Sequence, residues 1–580
     1  MRHRRTPSRV TAPGGVLTWI IAWALLGTGP DTALRAQSQK EVPPVLPFVP
    51  PDSARTAGER PQWELPEVLV YGRDTSLRLP GQKLAIGGKP AIAYRPQEQR
   101  ETIPSTMVSA APQELLAESG PQARSLLLRA EGGSYWTANV AALYRGARRR
   151  MNYGADISFR RSDGAVENGQ YAILDLGGRV TYPFSPRGAV HAHVDINQAG
   201  YGLAGATLPD TARALKAERH ASAVSLGTGL ELGLGDRGQL TVAYEYATLR
   251  SSDDTLGVRL SRVSDGLHRL DTRVVFPFGS IELLANISYL SEGYRPQGAR
   301  GTQQSSLVQA EWGVAGEVLA RGHAYLGLGF HGVSSAAGGQ SSALSIAGRF
   351  WIAPSPRLGL TVEFRRGYDC STLMERRAEN PYHAPHLLLQ PVLTKFALAV
   401  GAEWRVASQL VLEARVGRSW MKDQWYWQRD PASGLFTVGV VPDVKMNHAA
   451  LVVRGEPAAN LSIEARYALY SDSFRLAQVP GAADLPYLAH RRVPLSAAYR
   501  LGERTRLQLR SDLMSSRTAD LVRQAKLKPY ALLSCAVTHQ LNRRVSLFVQ
   551  GENLTNRSYE RWQGYPEMGL TIQAGGFATW

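Results

Sequence analysis

Residues 506–513 read Arg-Leu-Gln-Leu-Arg-Ser-Asp-Leu, with apolar or small side chains at every second position and polar or charged ones between them. The same alternation recurs at residues 190–197, 360–365, 396–405 and 461–469. A period of two is typical of a β-strand with one apolar and one polar face. Several of these runs reach about ten residues, whereas an average soluble strand has about six, so they are long enough to cross a membrane at a tilt.

A soluble β-sandwich and a membrane β-barrel both fit alternating strands. Strand length favours the barrel, and so do the full charges of both signs on the polar face, which suit a water-filled lumen. The alternation places Ile463 and Leu507 on the lipid side and predicts a set of charged residues that face the lumen. These residues are Glu363, Arg365, Glu403, Arg405, Glu413, Arg415, Glu464, Arg466, Arg510 and Asp512.

The connections between the strands alternate in length. Short turns are predicted at residues 185–188, 235–238, 501–504 and 541–544. Longer polar stretches, predicted as loops, lie at residues 198–220, 369–394 and 421–443. Bacterial outer-membrane barrels place short turns on the periplasmic side and long loops outside. About ten short turns therefore predict an all-β transmembrane outer-membrane barrel of about 22 antiparallel strands, which spans residues 123–580 and has both ends in the periplasm.

The first 122 residues predict three further segments. Residues 1–36 combine a basic start, a short apolar core and a small residue, Ala36, before a cleavage point, which are the parts of a secretory signal peptide. An uncleaved membrane anchor is the alternative, although the apolar core is short for a membrane span. Residues 37–63 are rich in Pro and predict a disordered linker. Residues 64–122 form a short N-terminal segment before the barrel.

Composition excludes several function classes. The net charge is +17, but Lys and Arg are spread evenly, so no nucleic-acid partner is predicted. An anionic lipopolysaccharide surface or an anionic substrate accounts for the charge. Cys370 and Cys535 are the only cysteines, so there is no disulfide framework. We find no nucleophile elbow, phosphate loop or Cys-x-x-Cys motif, and therefore predict no enzyme activity, no cofactor and no metal.

The last 36 residues carry a specific motif. Its members are Glu552, Asn553, Leu554, Asn556, Gly564, Tyr565, Pro566 and the terminal residue Trp580. The motif resembles the end of a TonB-dependent receptor, in which the E-N-L-x-N and G-Y/R-P elements bracket the last outer loop and the terminal aromatic residue serves barrel assembly. A chance match in an unrelated barrel is the alternative. The resemblance implies several partners: outer-membrane lipid and lipopolysaccharide, the barrel assembly machinery, TonB or a separate plugging protein, and a small-molecule substrate.

A β-prone run interrupts the N-terminal segment. It consists of Glu67, Val68, Leu69, Val70, Tyr71 and Gly72, and it resembles the TonB box of that family. An extended segment of this kind can add to the sheet edge of a partner through main-chain hydrogen bonds. The chain departs from the family after this run, because only about 50 residues separate Gly72 from the first predicted strand. This distance is too short for the usual plug domain, so we predict a reduced or absent plug.

Two functions remain open at this point. One is an outer-membrane transporter or receptor of the TonB-dependent type, and the other is a plugless porin-like or structural barrel without energy coupling. Trp425, Tyr426 and Trp427 are candidate ligand contacts, because flat aromatic faces stack on sugar rings or apolar ligands; they equally fit the aromatic belt at the lipid boundary. The pair His191/His193 and the pair His383/His386 have metal-ligand spacings, but solvated lumen or loop residues are the simpler interpretation.

Overall fold

We describe the fold from a computed structural model. It describes residues 125–580, apart from residues 165, 167, 204–216, 236–237, 256–257, 297–302, 320, 336–338, 370, 385–386, 388–390, 477–478, 522 and 524. The predicted signal peptide, linker and N-terminal segment, including Glu67–Gly72, lie outside the described residues. Among the helices that are described, none has the length and apolar character needed to cross a membrane.

Long antiparallel strands dominate the described chain. The wall strands are β1 Ser125–Gly133, β2 Thr137–Arg148, β3 Met151–Ser162, β4 Tyr171–Ser185, β5 Gly188–Gly202, β6 Ala217–Leu234, β7 Gly238–Thr255, β8 Val258–Phe278, β9 Ile281–Pro296, β10 Gln303–Leu319, β11 Gly322–Ser335, β12 Gly339–Ser355, β13 Leu358–Asp369, β14 Val392–Ala407, β15 Leu410–Arg429, β16 Phe436–Ala458, β17 Leu461–Leu476, β19 Arg491–Leu501, β20 Thr505–Met514, β23 Tyr530–Gln540, β24 Val545–Glu552 and β27 Thr571–Thr579. Shorter elements lie in the connections: a 3-10 turn Ser134–Trp136, helix α1 Leu373–Glu379, and strands β18 Val479–Ala483, β21 Arg517–Thr518, β22 Lys526–Leu527, β25 Glu560–Trp562 and β26 Tyr565–Pro566.

The wall is a closed barrel of 22 strands, which confirms the predicted architecture. Each strand pairs with its neighbours, and β1 closes the circle by pairing with β27, where Leu127 lies opposite Thr579. Beyond this last pair, Trp580 and Leu126 exchange two main-chain hydrogen bonds of 2.9 and 3.0 Å. Closure leaves no free strand edge, so every wall strand has its backbone partners inside the lipid.

The two ends of the barrel differ as predicted. Ten connections at one end contain two to four residues each, whereas the other end carries the longest connections, 203–216, 370–391, 477–490, 515–529 and 553–570. The first is the periplasmic end and the second the outer end by the general rule for bacterial barrels. The prediction of a long loop at 421–443 is wrong, because β15 continues to Arg429 and β16 begins at Phe436. These strands continue as a hairpin whose inner face is buried at the outer end.

The strand faces follow the sequence alternation. Val362, Trp404, Val416, Tyr467 and Leu509 are exposed on the outside of the wall. The ten charged residues predicted for the lumen occupy the opposite face of the same strands. Several of them pair across strands: Glu413 and Glu464 lie 3.4 and 3.7 Å from the guanidinium of Arg454 on β16, the strand between them. An Arg turned toward lipid at mid-depth costs about 2–4 kcal/mol, so the alternation also determines the register.

Candidate functional site: the capped outer mouth

The largest cluster of buried apolar side chains lies at the outer end of the barrel and is called here the cap cluster. It draws residues from the wall strands and from four different outer connections. Its members are Val263, Tyr294, Leu373, Leu387, Val392, Met421, Trp425, Trp427, Phe436, Val441, Val444, Met446, Phe474, Leu485, Leu488, Leu521 and Tyr565. Burial of this much apolar surface holds the outer connections together over the mouth.

The centre of this arrangement is the cap loop, residues 371–384, which follows β13 and contains α1. The helix starts with a capping box, in which the Thr372 hydroxyl accepts from the Glu375 backbone N–H and the Glu375 carboxylate accepts from the Thr372 backbone N–H, both at 3.0 Å. Reciprocal capping satisfies two backbone donors that a short helix would otherwise leave open. The backbone N–H of Leu373 donates to the Glu292 carboxylate of β9 at 2.8 and 2.9 Å.

Buried ion pairs attach the cap loop to one side of the wall. Arg219 of β6 makes two hydrogen bonds, of 2.5 and 2.9 Å, to Asp253 of β7. Its guanidinium also donates to the backbone carbonyls of Pro381 at 2.8 Å and His383 at 2.7 Å. Because the Asp253 carboxylate and the two carbonyls bind the same buried guanidinium, the end of the cap loop is fixed in one position against the wall.

A second buried pair holds the helix itself. The Nε atom of Arg377 lies 3.1 Å from Asp265 of β8, and both side chains are almost completely buried. Arg377 also donates to the Ser251 hydroxyl of β7 at 3.0 Å. Arg269, four positions further along β8, forms a more exposed and longer pair of 3.8 Å with Glu375 and lies 3.9 Å from the buried Glu245 of β7.

Aromatic side chains hold the other side of the cap loop. The Arg376 guanidinium lies 4.5 Å from the ring centre of Trp425. The rings of Tyr382 and Tyr565 stack with centres 3.7 Å apart. Main-chain hydrogen bonds of 2.9 and 2.6 Å also join Phe436 to Tyr382 and to Ala384. The cap loop thus contacts β6–β9 on one side and the β15–β16 hairpin on the other, and so lies across the mouth.

The three candidate ligand residues of β15 separate into two environments. Trp425 and Trp427 are each only 3% exposed and pack edge to face, with ring centres 5.9 Å apart. They face the cap cluster, so they do not form the lipid-boundary belt. Tyr426 is half-buried on the opposite face of the strand, beside Gly439, where an added Cβ would come within 2.5 Å of its ring. Contact of these residues with a ligand stays a prediction.

The C-terminal motif shapes the last outer loop. Asn553, directly after Glu552 at the end of β24, and Asn556 adopt the left-handed conformation, with φ of 49° and 46°. Their side-chain oxygens accept from the backbone N–H groups of Arg557 and Leu570, both at 2.9 Å. Short side chains that bond to nearby backbone stabilise this conformation. Leu554, between them, is exposed.

The second half of the motif reaches the cap. Gly564 has φ of +81°, and a Cβ there would lie 2.9 Å from the Arg429 guanidinium, so this tight turn requires glycine. The turn leads into Tyr565, which is buried and donates from its hydroxyl to the Gly434 carbonyl at 3.2 Å. Pro566 follows in β26 opposite Glu560. The motif therefore folds the last loop inward, while Trp580 closes the barrel at the other end.

The histidine pairs do not form a metal site among the described residues. His191 and His193 share the lumen face, as predicted, but have separate neighbours: His191 forms a hydrogen bond of 3.0 Å with the Thr181 hydroxyl, whereas His193 lies 3.9 Å from the Asp195 carboxylate. His383 is buried in the cap loop with its Nδ1 atom 2.8 Å from the Ala384 carbonyl. His386 lies outside the described residues.

The burial of His383 in the cap loop predicts that cap closure depends on pH. Burial lowers the pKa of this histidine well below its usual range, and the neighbouring cations Arg219 and Arg377 lower it further. Each of these cations is itself paired with a carboxylate, Arg219 with Asp253 and Arg377 with Asp265. When the cap opens, the pKa returns to about 6.5, so the open state binds the extra proton. We expect the contribution of His383 to cap stability to be complete above pH about 6.5 and to fall below it by up to about 1.4 kcal/mol per pH unit.

Hydrogen exchange of the amides of residues 373–384, corrected for intrinsic rates, measures this dependence. The variant His383→Gln should retain a closed cap but lose the part of the pH profile that begins near the open-state pKa. An identical profile in the variant would assign the pH dependence to other groups.

Comparisons with known proteins agree with this geometry at the level of the fold. No protein-family model and no curated protein sequence matches the chain. Its structure is similar to that of the FrpB iron transporter from Neisseria meningitidis, with a TM-score of 0.67 and 9% sequence identity over 81% of this chain and 84% of that one. It is also similar to the copper transporter OprC, with a TM-score of 0.62 and 12% sequence identity over 79% of this chain and 83% of that one. The siderophore receptor PiuA from Acinetobacter baumannii gives a TM-score of 0.58 and 10% identity over 79% of this chain and 82% of that one.

These proteins are transporters and receptors with barrels of 22 strands. The chain therefore has the barrel fold of the TonB-dependent outer-membrane receptors, as the C-terminal motif predicted. At these identities the similarity establishes the fold alone, and function must be argued from the site.

Proposed function

We propose that this protein is an outer-membrane receptor and transporter of the TonB-dependent type, which admits a small-molecule substrate through its outer mouth. The observation that carries the proposal is the position of the cap loop across the outer mouth. A general porin works through a water-filled lumen that stays open, whereas here the cap loop lies across the entrance and is held by two buried Arg–Asp pairs. A closed entrance fits a protein that opens for a particular ligand. The barrel fold supports the same proposal.

The cap also indicates where a ligand would act. A ligand can open the mouth only by binding the open state more tightly than the closed one. Trp425 and Arg376, which now stack on each other, would become available to it when the cap loop moves away. An aromatic face beside a cation suits a flat or anionic ligand, and the net charge of +17 favours an anionic one.

The remaining predicted parts belong to the same proposal. Residues 64–122 would enter the lumen from the periplasmic side and partly occlude it, because an empty barrel of this size would leak. Residues 67–72 would add a strand to TonB, and Val68→Pro should then abolish binding of the periplasmic domain of TonB, since proline removes a main-chain donor. The outer leaflet, with its lipopolysaccharide, and the barrel assembly machinery are the partners of the wall.

Conductance across a planar bilayer tests whether two barriers exist. Four proteins are compared: the full chain, a deletion of residues 65–120, a replacement of the cap loop by a short Gly-Ser linker, and the combination. We expect wide pores only in the combination, because either barrier alone blocks the lumen. Deletion of residues 40–60, within the predicted linker, is the control and should change nothing.

The other outcomes distinguish the alternatives. If the cap-loop replacement alone conducts as a wide pore and the deletion adds nothing, the N-terminal segment does not occlude and the protein is porin-like. If the full chain already conducts as a wide pore, the cap does not close the mouth and the proposed function fails.

A further inference from the structure

A second group of functional side chains lies beside the cap cluster. Asp472 is on the outer extension of β17, and Asp484 and His490 are at the two ends of the segment that leads into β19. The Nε2 atom of His490 lies 3.6 Å from a carboxylate oxygen of Asp472 and 3.6 Å from one of Asp484. One ligand atom from each of the three residues lies within 4.8 Å of the other two.

The position of the Asp472 carboxylate is unusual. Its side chain is 0% exposed, and its Oδ2 atom accepts from the backbone N–H of Leu485 at 2.5 Å. The other oxygen, Oδ1, is buried, accepts no hydrogen bond from the described residues and faces the Nε2 atom of His490. Neither carboxylate forms an ion pair with Lys or Arg in the described part of the chain. A buried carboxylate oxygen without a hydrogen bond is costly unless a cation compensates it.

From this geometry we propose that Asp472, Asp484 and His490 bind a divalent transition-metal ion of the Zn²⁺ class. One imidazole and two carboxylates are a suitable ligand set for such an ion. Tetrahedral ligands at about 2.0–2.2 Å from zinc lie about 3.3–3.6 Å from one another, which agrees with both His–Asp distances. The side chains of Asp484 and His490 are 42% and 40% exposed, so an ion can enter from solvent and a water can complete the shell.

The site would connect the wall to the cap. Residues 484–490 also supply Leu485 and Leu488 to the cap cluster, and the backbone N–H of Tyr470 donates to the His490 carbonyl at 2.9 Å. An ion bound to Asp472 and to both ends of this segment would hold the segment against β17. This role is independent of transport, so the proposal does not rest on the proposed function.

Zn²⁺ binding to the detergent-solubilised full chain, measured by calorimetry after treatment with a chelator, tests the proposal. We expect one saturable site whose affinity falls at least 10- to 100-fold in His490→Gln and in Asp484→Asn, because each variant loses a ligand. The control is His220→Gln, since His220 forms an exposed pair of 3.9 Å with Glu218 but has no buried carboxylate beside it. Its affinity should equal that of the wild type.

Both designed variants alter exposed side chains, and the heat-modifiable gel mobility of the barrel confirms that they fold. Cobalt provides a second readout, because Co²⁺ in a four-coordinate site gives strong visible absorption that His490→Gln should remove. An absence of saturable Zn²⁺ binding, or equal binding by the wild type and His490→Gln, would show that the three residues form an ion-pair cluster only and would overturn the proposal.

Discussion

Replacing Arg377 with Met should release the cap loop from β8 and expose the outer mouth. The substitution leaves the Asp265 carboxylate, whose side chain is 0% exposed, without its cation in a buried position. Breaking one partner of a buried ion pair typically costs about 3–5 kcal/mol. Because the pair joins the cap loop to the wall, the loss should fall on cap closure, while the 22-strand wall remains assembled. Hydrogen exchange of the amides of residues 373–384 should accelerate by about a hundredfold or more.

A matched variant separates this effect from a general loss of charge. Glu375→Gln removes the carboxylate charge that faces Arg269 at 3.8 Å from the same helix, and its side-chain oxygen can still accept from the Thr372 backbone N–H; Arg269 keeps its place beside the buried Glu245. Exposed pairs contribute about 0–1 kcal/mol, so Glu375→Gln should leave the exchange nearly unchanged. The double variant Asp265→Leu/Arg377→Met should recover much of the protection, because an apolar pair does not leave a buried charge. Equal exchange in the two single variants would show that the buried pair does not hold the cap.

Trp425→Ala should have an effect of similar size on the other side of the cap. Truncation of a buried aromatic side chain to Ala costs about 3–5 kcal/mol, and the contact with Arg376 adds to the loss. The cap cluster would keep a cavity beside Trp427, whose ring now packs against Trp425. Hydrogen exchange of the amides of residues 436–446, on the partner strand, should accelerate by at least a hundredfold.

Tyr426→Ala is the control for this experiment, because it removes an aromatic ring from the next residue on the opposite face. Tyr426 packs only at the edge of the cap cluster, so the exchange of the same amides should change much less. If Tyr426→Ala has the larger effect, the inward placement of Trp425 is wrong. If neither variant changes the exchange, the aromatic residues of β15 do not stabilise the closed mouth.

The sequence by itself was sufficient to predict the strands that form the wall of the barrel and the two faces of each strand. The alternation at residues 506–513 places Leu507 and Leu509 toward lipid and Arg510 and Asp512 toward the lumen, and the structure confirms it. This information is local, because in a membrane barrel the lipid solvates one face of every strand and water the other. Because lipid cannot satisfy the backbone groups of a free strand edge, the sheet must close into a barrel. In such a barrel every second connection is a short turn, so the number of short turns predicted the number of strands. The residues of the C-terminal motif also identified the correct family of folds.

Only the tertiary structure decided what closes the mouth. Arg219 contacts Pro381, 162 positions away, and Tyr565 contacts Gly434, 131 positions away. The sequence also predicted a loop where β15 continues past Asp423, because Lys422, Asp423 and Gln424 are three polar residues in a row; the pairing with β16 nevertheless keeps its register from Lys422 to Gln424. Asp472, Asp484 and His490 carry no recognisable motif for the same reason. Side chains that meet across a barrel follow no period in the chain, because the closure of the wall and the inward path of the outer loops determine which of them come together.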